Sequence, residues 1–339
     1  MDKLYFQWHI TNLCNYRCKH CYQNRFDDKE DLDWQGIKKI ADKVIQYALE
    51  NKKRIVINIT GGEPFLKKEL FLLLDYLEPK TAIEKFVIIT NGSLLDEQTI
   101  EKLKNCSKLK EIKFSLEAAD PLTNDAIRAK GSYAKVFKAI QILKEKTKIS
   151  SILMFTAFKS NLKELPLLFN LAKEKGISGI IIERFFPLGR GRNISGELLE
   201  SDDWYNLNKE LLKLDNFSFN LEDLLTYRAF WIRIFPKKIE LFGASCNVGK
   251  DSFCIMPNAD IYPCRRFILK LGNLLENSLD EIINSEILKR IIETRKRGRC
   301  ADCDIKGCSS CPALSYLLTG DWTKEDFQCW YKRDVSLSL

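Results

Sequence analysis

Strand-like and helix-like segments alternate along the first two-thirds of the chain. Short apolar runs predict buried strands, and each is followed by apolar residues at helical spacing. The six strand-like runs are residues 4–10, 55–60, 86–90, 110–116, 149–157 and 180–186. The helical patterns cover residues 34–48, 67–77, 96–104, 134–146, 162–175 and 202–214. Because parallel strands need crossover connections, this order predicts an α/β fold with a parallel sheet.

The order and length of these units favour a partial (β/α) barrel over a doubly wound sheet, although periodicity alone does not decide between them. A chain of 339 residues suits one barrel with an appendage, or two domains. We expect a barrel over 1–215, a helical bridge over 216–245 with a helix at 221–235, and a separate domain over 246–339. Eight of the twelve cysteines lie between Cys246 and Cys329, which sets the last boundary.

Three cysteines, Cys14, Cys18 and Cys21, fall within eight residues directly after the first predicted strand. Three thiolates are one too few for a closed tetrahedral site or a fully ligated cubane, so an iron–sulfur cluster held this way keeps one iron open. The spacing alone leaves a zinc site completed by His9 or His20 about equally credible. No secretory signal precedes the loop, so we expect metal ligands in a reducing cytoplasm rather than disulfides.

The spacing Cys-x3-Cys-x2-Cys resembles the signature of the radical S-adenosylmethionine (radical SAM) superfamily, with His20 in the usually aromatic position. Three further stretches fit this resemblance, each at the end of a predicted strand: Gly61-Gly62-Glu63-Pro64, Thr90-Asn91-Gly92 and Ser115-Leu116-Glu117. Each is weak alone, but together and in this order they favour an iron–sulfur cluster over zinc. The resemblance implies a six-unit partial barrel, and all the motifs fall on its functional face.

The resemblance also implies roles for individual residues. Cys14, Cys18 and Cys21 would hold a 4Fe-4S cluster whose open iron chelates SAM, and reductive cleavage would yield a 5′-deoxyadenosyl radical. The implied SAM contacts are Gly61, Gly62 and Glu63 at the methionine amino group, Ser115 and Arg128 at the carboxylate, and Asn91 or Glu117 at the ribose. Arg128 has an equally weighted alternative as a surface helix residue. We expect the loop 187–191 to line the cofactor or the substrate.

The last third of the chain carries a second cysteine array. Its eight thiols match two four-cysteine 4Fe-4S clusters, whereas zinc ribbons usually separate their Cys-x2-Cys pairs by more than the four residues found here. The array resembles the SPASM domain of peptide- and protein-modifying radical SAM enzymes. The resemblance implies a crossed partition, with Cys246, Cys254, Cys264 and Cys311 on one auxiliary cluster and Cys300, Cys303, Cys308 and Cys329 on the other.

Three residues of the chain need separate comment. Ala259 replaces a turn glycine of the family, so we expect a positive-φ turn to be relaxed or carried by Asn258. Arg265 follows Cys264 where sulfatase-maturing relatives place a catalytic aspartate, which counts against that activity. Cys106 is expected to be a small core residue.

The resemblance implies an enzyme that oxidatively modifies a ribosomally synthesised peptide, for example by a carbon–carbon, ether or thioether crosslink. The alternatives are protein maturation, redox-cofactor or haem biosynthesis, peptide epimerisation, and a non-catalytic iron–sulfur or zinc protein. Expected partners are a precursor peptide, an electron donor such as flavodoxin or ferredoxin, and a separate leader-recognition protein, since only thirteen residues precede Cys14.

The composition excludes two other kinds of partner. The net charge of +8 is spread over lysines of the helices, and the only dense basic run, Arg290 to Arg299, lacks interleaved aromatic residues, which argues against nucleic-acid binding. No apolar run is long enough to span a membrane. We therefore expect a cytoplasmic location.

Overall fold

Six parallel strands follow one another in chain order and form the centre of the sheet. The computed structural model describes residues 2–213, 217–218, 227–294, 296–303, 305, 308 and 310–331. The strands are β1 (Lys3–His9), β2 (Arg54–Thr60), β3 (Ile83–Thr90), β4 (Leu109–Ser115), β5 (Ser150–Ala157) and β6 (Gly179–Arg184). Each pairs in parallel with the next. The predicted α/β barrel strands are confirmed.

Helices connect these strands and cover one side of the sheet. They are α1 (Trp34–Glu50), α2 (Leu70–Leu77), α3 (Glu97–Leu103), α4 (Pro121–Ile127), α5 (Ser132–Lys146), α6 (Glu164–Lys175) and α7 (Ser201–Leu212). The Asp33 carboxylate accepts a hydrogen bond from the Gly36 amide at 2.9 Å, which caps α1. Helix α4 is not predicted from the periodicity, because its short sequence has few apolar residues and it buries the polar Asn124.

The core lies mainly between the strands and these helices. Phe6, Phe86 and Phe114 are fully buried there, and burial of each such ring contributes about 1.5–3 kcal/mol. Two smaller clusters are separate from it, one around Phe267 and Leu314 in the cysteine-rich region, and one of Ile152, Met154 and Ile181. Cys106 is buried in the main core, as expected.

The predicted helix over 221–235 is wrong where the structure describes it. Residues 227–245 form an antiparallel hairpin of β8 (Tyr227–Ile234) and β9 (Ile239–Ser245), and β8 pairs antiparallel with β6. Phe230 and Ile232 are buried and alternate with less buried neighbours, which is the two-residue period of a strand. The helical bridge is therefore a sheet extension, with β7 (Phe217–Ser218) beside β9. Residues 219–226 lie outside the described residues.

The cysteine-rich region continues the sheet at its other edge. Strand β10 (Ser252–Ile255) pairs in parallel with β1, and β11 (Asp260–Tyr262) and β12 (Gly272–Asn273) follow in antiparallel order. The region after residue 246, which was expected to be separate, therefore belongs to the same sheet. Three helices follow: α8 (Leu279–Ile283), α9 (Glu286–Glu293) and α10 (Pro312–Thr319).

The turn between β10 and β11 corrects one expectation. Ala259 itself adopts a φ of 70°, so the turn is neither relaxed nor transferred to Asn258. The Ala259 amide donates to the Met256 carbonyl at 2.9 Å, and the side chain is fully buried, so its surroundings offset the strain of this conformation.

None of the described helices has the length and apolar character needed to cross a membrane.

Candidate active site at the carboxyl ends of the strands

The cysteine loop after β1 packs directly against the glycine loop after β2. The Gly62 amide donates to the Thr11 carbonyl at 2.8 Å, and the Glu63 amide donates to the Leu13 carbonyl at 2.7 Å. A Cβ atom on Gly61 would lie 2.5 Å from the Thr11 oxygen, and one on Gly62 would lie 2.1 Å from the Leu13 oxygen. Both glycines are therefore required for the approach of the two backbones, a role that the sequence does not reveal.

One open cavity of about 880 Å³ brings most of the predicted site residues together. Its walls include eight side chains from the predicted SAM and cluster sites, together with the two glycines: Cys14, Cys18, His20, Cys21, Gly61, Gly62, Asn91, Ser115, Glu117 and Arg128. They come from the ends of β1 to β4 and from α4. The convergence is that expected for the functional face of a barrel.

The three thiols of the loop suit a metal cluster. Burial raises the pKa of Cys14 and Cys18, and raises that of Cys21 to about 11. A bound metal would displace these protons and offset the unfavourable burial of thiolates. Backbone amides of Tyr16 and Gln23 already donate to the sulfurs of Cys14 and Cys21 at 3.4 Å.

The donor set fits a cubane better than a single ion. Among the residues that the structure describes, no three His, Cys, Asp or Glu side chains are arranged around one metal ion. In a 4Fe-4S cluster each thiolate binds a different iron, so its ligands lie further apart. None of the twelve cysteines forms a disulfide. The thiols and the adjoining cavity therefore fit a three-cysteine cluster.

Glu63 lies behind the cavity wall. Its carboxylate accepts hydrogen bonds from the Thr90 hydroxyl and the Asn91 amide, both at 2.7 Å. Burial raises its pKa to about 7. The side chain therefore positions the Thr90-Asn91-Gly92 turn, and a contact between the Glu63 backbone and SAM stays a prediction.

Asn91 lines the cavity, but its side-chain amide is already engaged. Its nitrogen donates to the Asn15 side chain, and its oxygen accepts from the Ser93 amide, both at 2.9 Å. These bonds connect the third motif to the cysteine loop. The expected contact of Asn91 with the ribose would have to be made in addition to these two hydrogen bonds.

Arg128 is buried and faces the cavity, so the surface alternative is wrong. Its guanidinium donates to Glu117 at 2.7 Å, and the Nε2 atom of His20 lies 3.4 Å from the same carboxylate. Helix α4 sets this geometry, because Asn124 accepts from the Glu117 amide at 3.0 Å and Arg128 ends the helix. Burial opposes the charge of Arg128, but Cys18 and Glu117 raise its pKa. The Nε of Arg128 and the Nδ1 of His20 are buried without a partner.

Another part of the cavity wall contains charged residues that the sequence does not reveal as cavity residues. Glu183 and Arg184 come from the end of β6, and Arg265 and Arg266 follow Cys264. Both Arg265 and Arg266 donate to the same Glu183 oxygen. Burial alone would raise the pKa of Glu183, but the two arginines lower it to about 2. The adjacent arginine pair after Cys264 was the available sequence signal.

The loop 187–191 does not line this cavity. Instead the Arg190 amide donates to the Gln23 carbonyl at 3.1 Å, and the Gly191 amide donates to the Cys21 carbonyl at 2.9 Å. A Cβ on Gly189 would lie 2.3 Å from the backbone carbonyl oxygen of Tyr22. The loop therefore supports the cysteine loop from outside.

The downstream cysteines lie near one another. Burial is the main cause that raises the pKa of Cys254, Cys264 and Cys311, and Asp326 raises that of Cys311 further. Lys296 lies near cysteines of both expected groups, among them Cys311 and Cys300. The crossed partition therefore stays a prediction.

Comparison with known proteins supports the radical SAM and SPASM resemblance. The Radical SAM superfamily matches residues 8–172, and SPASM, an iron–sulfur cluster-binding domain, matches residues 246–304. The AdoMet-dependent heme synthase of Methanosarcina barkeri is 26% identical, over 96% of this chain and 95% of that protein. The antilisterial bacteriocin subtilosin biosynthesis protein AlbA of Bacillus subtilis is 25% identical, over 91% of this chain and 68% of its own length.

A solved structure extends this likeness to the fold. The structure of anSMEcpe with bound AdoMet and the Cp18Cys peptide superposes with a TM-score of 0.73. The match covers 97% of this chain and 94% of anSMEcpe at 17% identity, which shows a common fold alone. The chain belongs to the radical SAM superfamily, and a SPASM domain follows its barrel.

Proposed function

We propose that this radical SAM enzyme oxidatively modifies a ribosomally synthesised peptide, leaving a carbon–carbon, ether or thioether crosslink. The observation that carries the radical chemistry is the convergence of Cys14, Cys18 and Cys21 on one cavity, with Ser115 and Arg128 on its wall. Four sequence motifs, placed on four successive strands, meet there. A surface scaffold or a zinc protein does not require a cavity that is lined by these four motifs.

The residues of the cavity have distinct tasks in this proposal. Cys14, Cys18 and Cys21 would hold a 4Fe-4S cluster, which when bound supplies an open iron for SAM and the electron for cleavage of its sulfur–carbon bond. Arg128 holds the methionine carboxylate, because its Nε has no partner among the described residues and a guanidinium matches a carboxylate geometrically. Glu117 orients Arg128 and His20.

The eight downstream cysteines hold two auxiliary 4Fe-4S clusters in this proposal. The match of residues 246–304 to the SPASM domain supports this assignment. Cys246, Cys254, Cys264 and Cys311 would hold the first cluster, and Cys300, Cys303, Cys308 and Cys329 would hold the second. Fully ligated by cysteines, such clusters would have no open iron for the substrate and would supply a place for the electron that it loses. A flavodoxin or ferredoxin supplies the electron for SAM cleavage.

The relatives and the open shape of the cavity support a peptide substrate. The chain is 25% identical to the subtilosin biosynthesis protein AlbA over 91% of its length. The cavity is open to solvent, so a segment of a peptide chain can reach it from outside. A precursor peptide is therefore the proposed partner, with a separate protein recognising its leader.

Haem biosynthesis is the second candidate. It is supported by the match to the Methanosarcina barkeri heme synthase, which extends over 95% of that protein, against 68% of AlbA. In that case a tetrapyrrole would present one side chain to the cavity while its macrocycle stayed at the rim.

The test uses the anaerobically reconstituted protein with a chemical reductant and SAM. We expect 5′-deoxyadenosine from the wild-type protein and none from C21A, with C106A as the matched control. Short peptides encoded beside the gene and an iron porphyrin are then offered separately. A peptide lighter by two hydrogen atoms supports the first candidate, and a decarboxylated porphyrin supports the second. Absence of 5′-deoxyadenosine would contradict both.

A further inference from the structure

We propose that Arg265 and Arg266 form a carboxylate-binding subsite in the part of the cavity wall that is formed by the end of β6 and the segment after Cys264. This inference rests on the proposed function, since it concerns the substrate end of the same cavity. It names the chemistry that the substrate must present there, namely a carboxylate.

The first argument is the charge balance of this wall. Arg265 and Arg266 share one acid, because both donate to the Oε2 atom of Glu183. The neighbouring acid, Asp326, is engaged by Arg184 through hydrogen bonds of 2.8 and 3.0 Å. Lys113 adds a further positive charge near Glu183. The Arg, Lys, Asp and Glu side chains of this wall therefore carry an excess positive charge, for which the neighbouring cysteines and an acid of the substrate are the available counter-ions.

The second argument is the number of hydrogen-bond donors. Each guanidinium has five N–H groups, and within the described part of the chain each has one side-chain acceptor, Glu183. Both side chains line the cavity and are mostly buried, with 11% and 16% of their surface exposed. None of these remaining donors is among the buried polar atoms without a partner in the described chain, so they face the open cavity, where a carboxylate of a ligand can accept from them.

The third argument is orientation. The Arg265 guanidinium lies 5.4 Å from the centroid of the Tyr22 ring, and that of Arg266 lies 4.9 Å from the centroid of Phe186. Cation–π contacts of this kind limit the rotation of a long side chain. Two oriented planar forks match the two oxygens of a carboxylate, which a lysine pair would not do.

The carboxylate of SAM has a different place in the cavity. Arg128, its proposed partner, follows α4, donates to Glu117 after β4 and lies near Cys18. Arg265 and Arg266 instead approach the downstream cysteines, including Cys264. If the arginine pair only offset the charge of an auxiliary cluster, binding would not depend on a carboxylate in the substrate.

Two sources supply this carboxylate: an acidic side chain of a peptide, or a propionate of a tetrapyrrole. The experiment measures binding by calorimetry to the anaerobic holoenzyme with SAM. The first probe pair is the peptide Ac-Gly-Phe-Glu-Phe-Gly-NH2 and its glutamine analogue. The second is coproporphyrin III and its tetramethyl ester. We expect the acid of one pair to bind about tenfold or more tightly than its neutral analogue, as for a charged hydrogen bond.

This preference should disappear in R265M and in R266M and recover in part in R265K and R266K, which restore charge but not the fork. Iron content and circular dichroism identify any variant that does not fold, and the lysine variants then carry the test. Equal affinity for the acid and the neutral probe in both pairs would overturn the inference. A preference for the acid that keeps its full strength in both methionine variants and both lysine variants would overturn it as well. Formation of 5′-deoxyadenosine without substrate is measured in parallel, so failure of the subsite is distinguished from failure of the proposed function.

Discussion

Arg184 and Asp326 form a fully buried ion pair that joins the end of β6 to the carboxyl-terminal segment. The guanidinium lies 2.8 and 3.0 Å from the two carboxylate oxygens, and the exposed fractions of the side chains are 1% and 0%. The Gln328 amide also donates to Asp326 at 3.0 Å. The pair thus connects the cavity wall to the segment that carries Cys329.

Removing one partner of this pair should destabilise the protein strongly. We expect D326A to lower the free energy of unfolding by about 3–5 kcal/mol, because it leaves a buried guanidinium without a counter-ion. The double variant R184M/D326L should be distinctly more stable than D326A. Anaerobic urea unfolding followed by circular dichroism measures both, and E325A, at a neighbouring, more exposed acid, is the control. A D326A variant as stable as E325A would contradict the prediction.

Gly62 should be essential for the first cluster. A Cβ at this position would lie 2.1 Å from the Leu13 carbonyl oxygen, so G62A must displace the cysteine loop. We expect loss of about one-third of the bound iron and at least tenfold less 5′-deoxyadenosine. A Cβ added at Gly196 would meet open space, with no non-adjacent atom within 4 Å, so G196A should behave as wild type. Full iron content and activity in G62A would show that the two loops can separate.

Lys113 should produce a pH-dependent change in stability. Burial lowers its pKa to about 8 from an ordinary value of 10.5, and the pKa therefore falls on folding. Between these values the unfolded chain binds more protons, so the free energy of unfolding should rise with pH. The full effect is about 3 kcal/mol. Urea midpoints between pH 7 and 9.5 should increase less in K113M than in wild type or in the exposed variant K110M. A parallel increase in all three would contradict this cause.

Arg128 should determine the affinity for SAM. R128M removes the guanidinium proposed to hold the methionine carboxylate, and we expect about tenfold weaker binding. The iron content should not change, because the cysteines remain. Equilibrium binding of SAM, together with the electron paramagnetic resonance of the reduced cluster, measures the effect, with the exposed variant R192M as control. Unchanged affinity in R128M would exclude this contact.

The partition of the downstream cysteines is directly testable. We expect about twelve irons per chain in the wild type and about eight in C264A, C308A or C311A. C264A and C311A should remove the same auxiliary signal in electron paramagnetic resonance, and C308A should remove the other one. If C308A and C311A removed the same signal, the crossed partition would be wrong.

The strands and the cysteine ligand candidates were predictable because each depends on local pattern. Continuous apolar runs such as 55–60 have few alternatives to a buried strand. Residues 227–234 were assigned wrongly because Phe230, Trp231 and Ile232 are contiguous and large, and only the pairing with β6 imposes a period of two. Local propensity does not contain that contact.

The charged wall of the cavity was not predictable for a related reason. Glu183 and the pair Arg265-Arg266 lie on different elements and meet only because β10 joins the sheet beside β1. Likewise, Arg128 is brought inside by a short helix with few apolar residues. Long-range sheet order, rather than motif spacing, decides these contacts.

The pairing of β10 with β1 ties the two cysteine regions together through one sheet. Cys254, a proposed auxiliary ligand, lies beside Gln7 on the strand that leads into the cysteine loop. Neighbouring strands are about 4.8 Å apart and held by backbone hydrogen bonds. A group bound by Cys254 would therefore keep a fixed place relative to the strand from which the first cysteine loop starts.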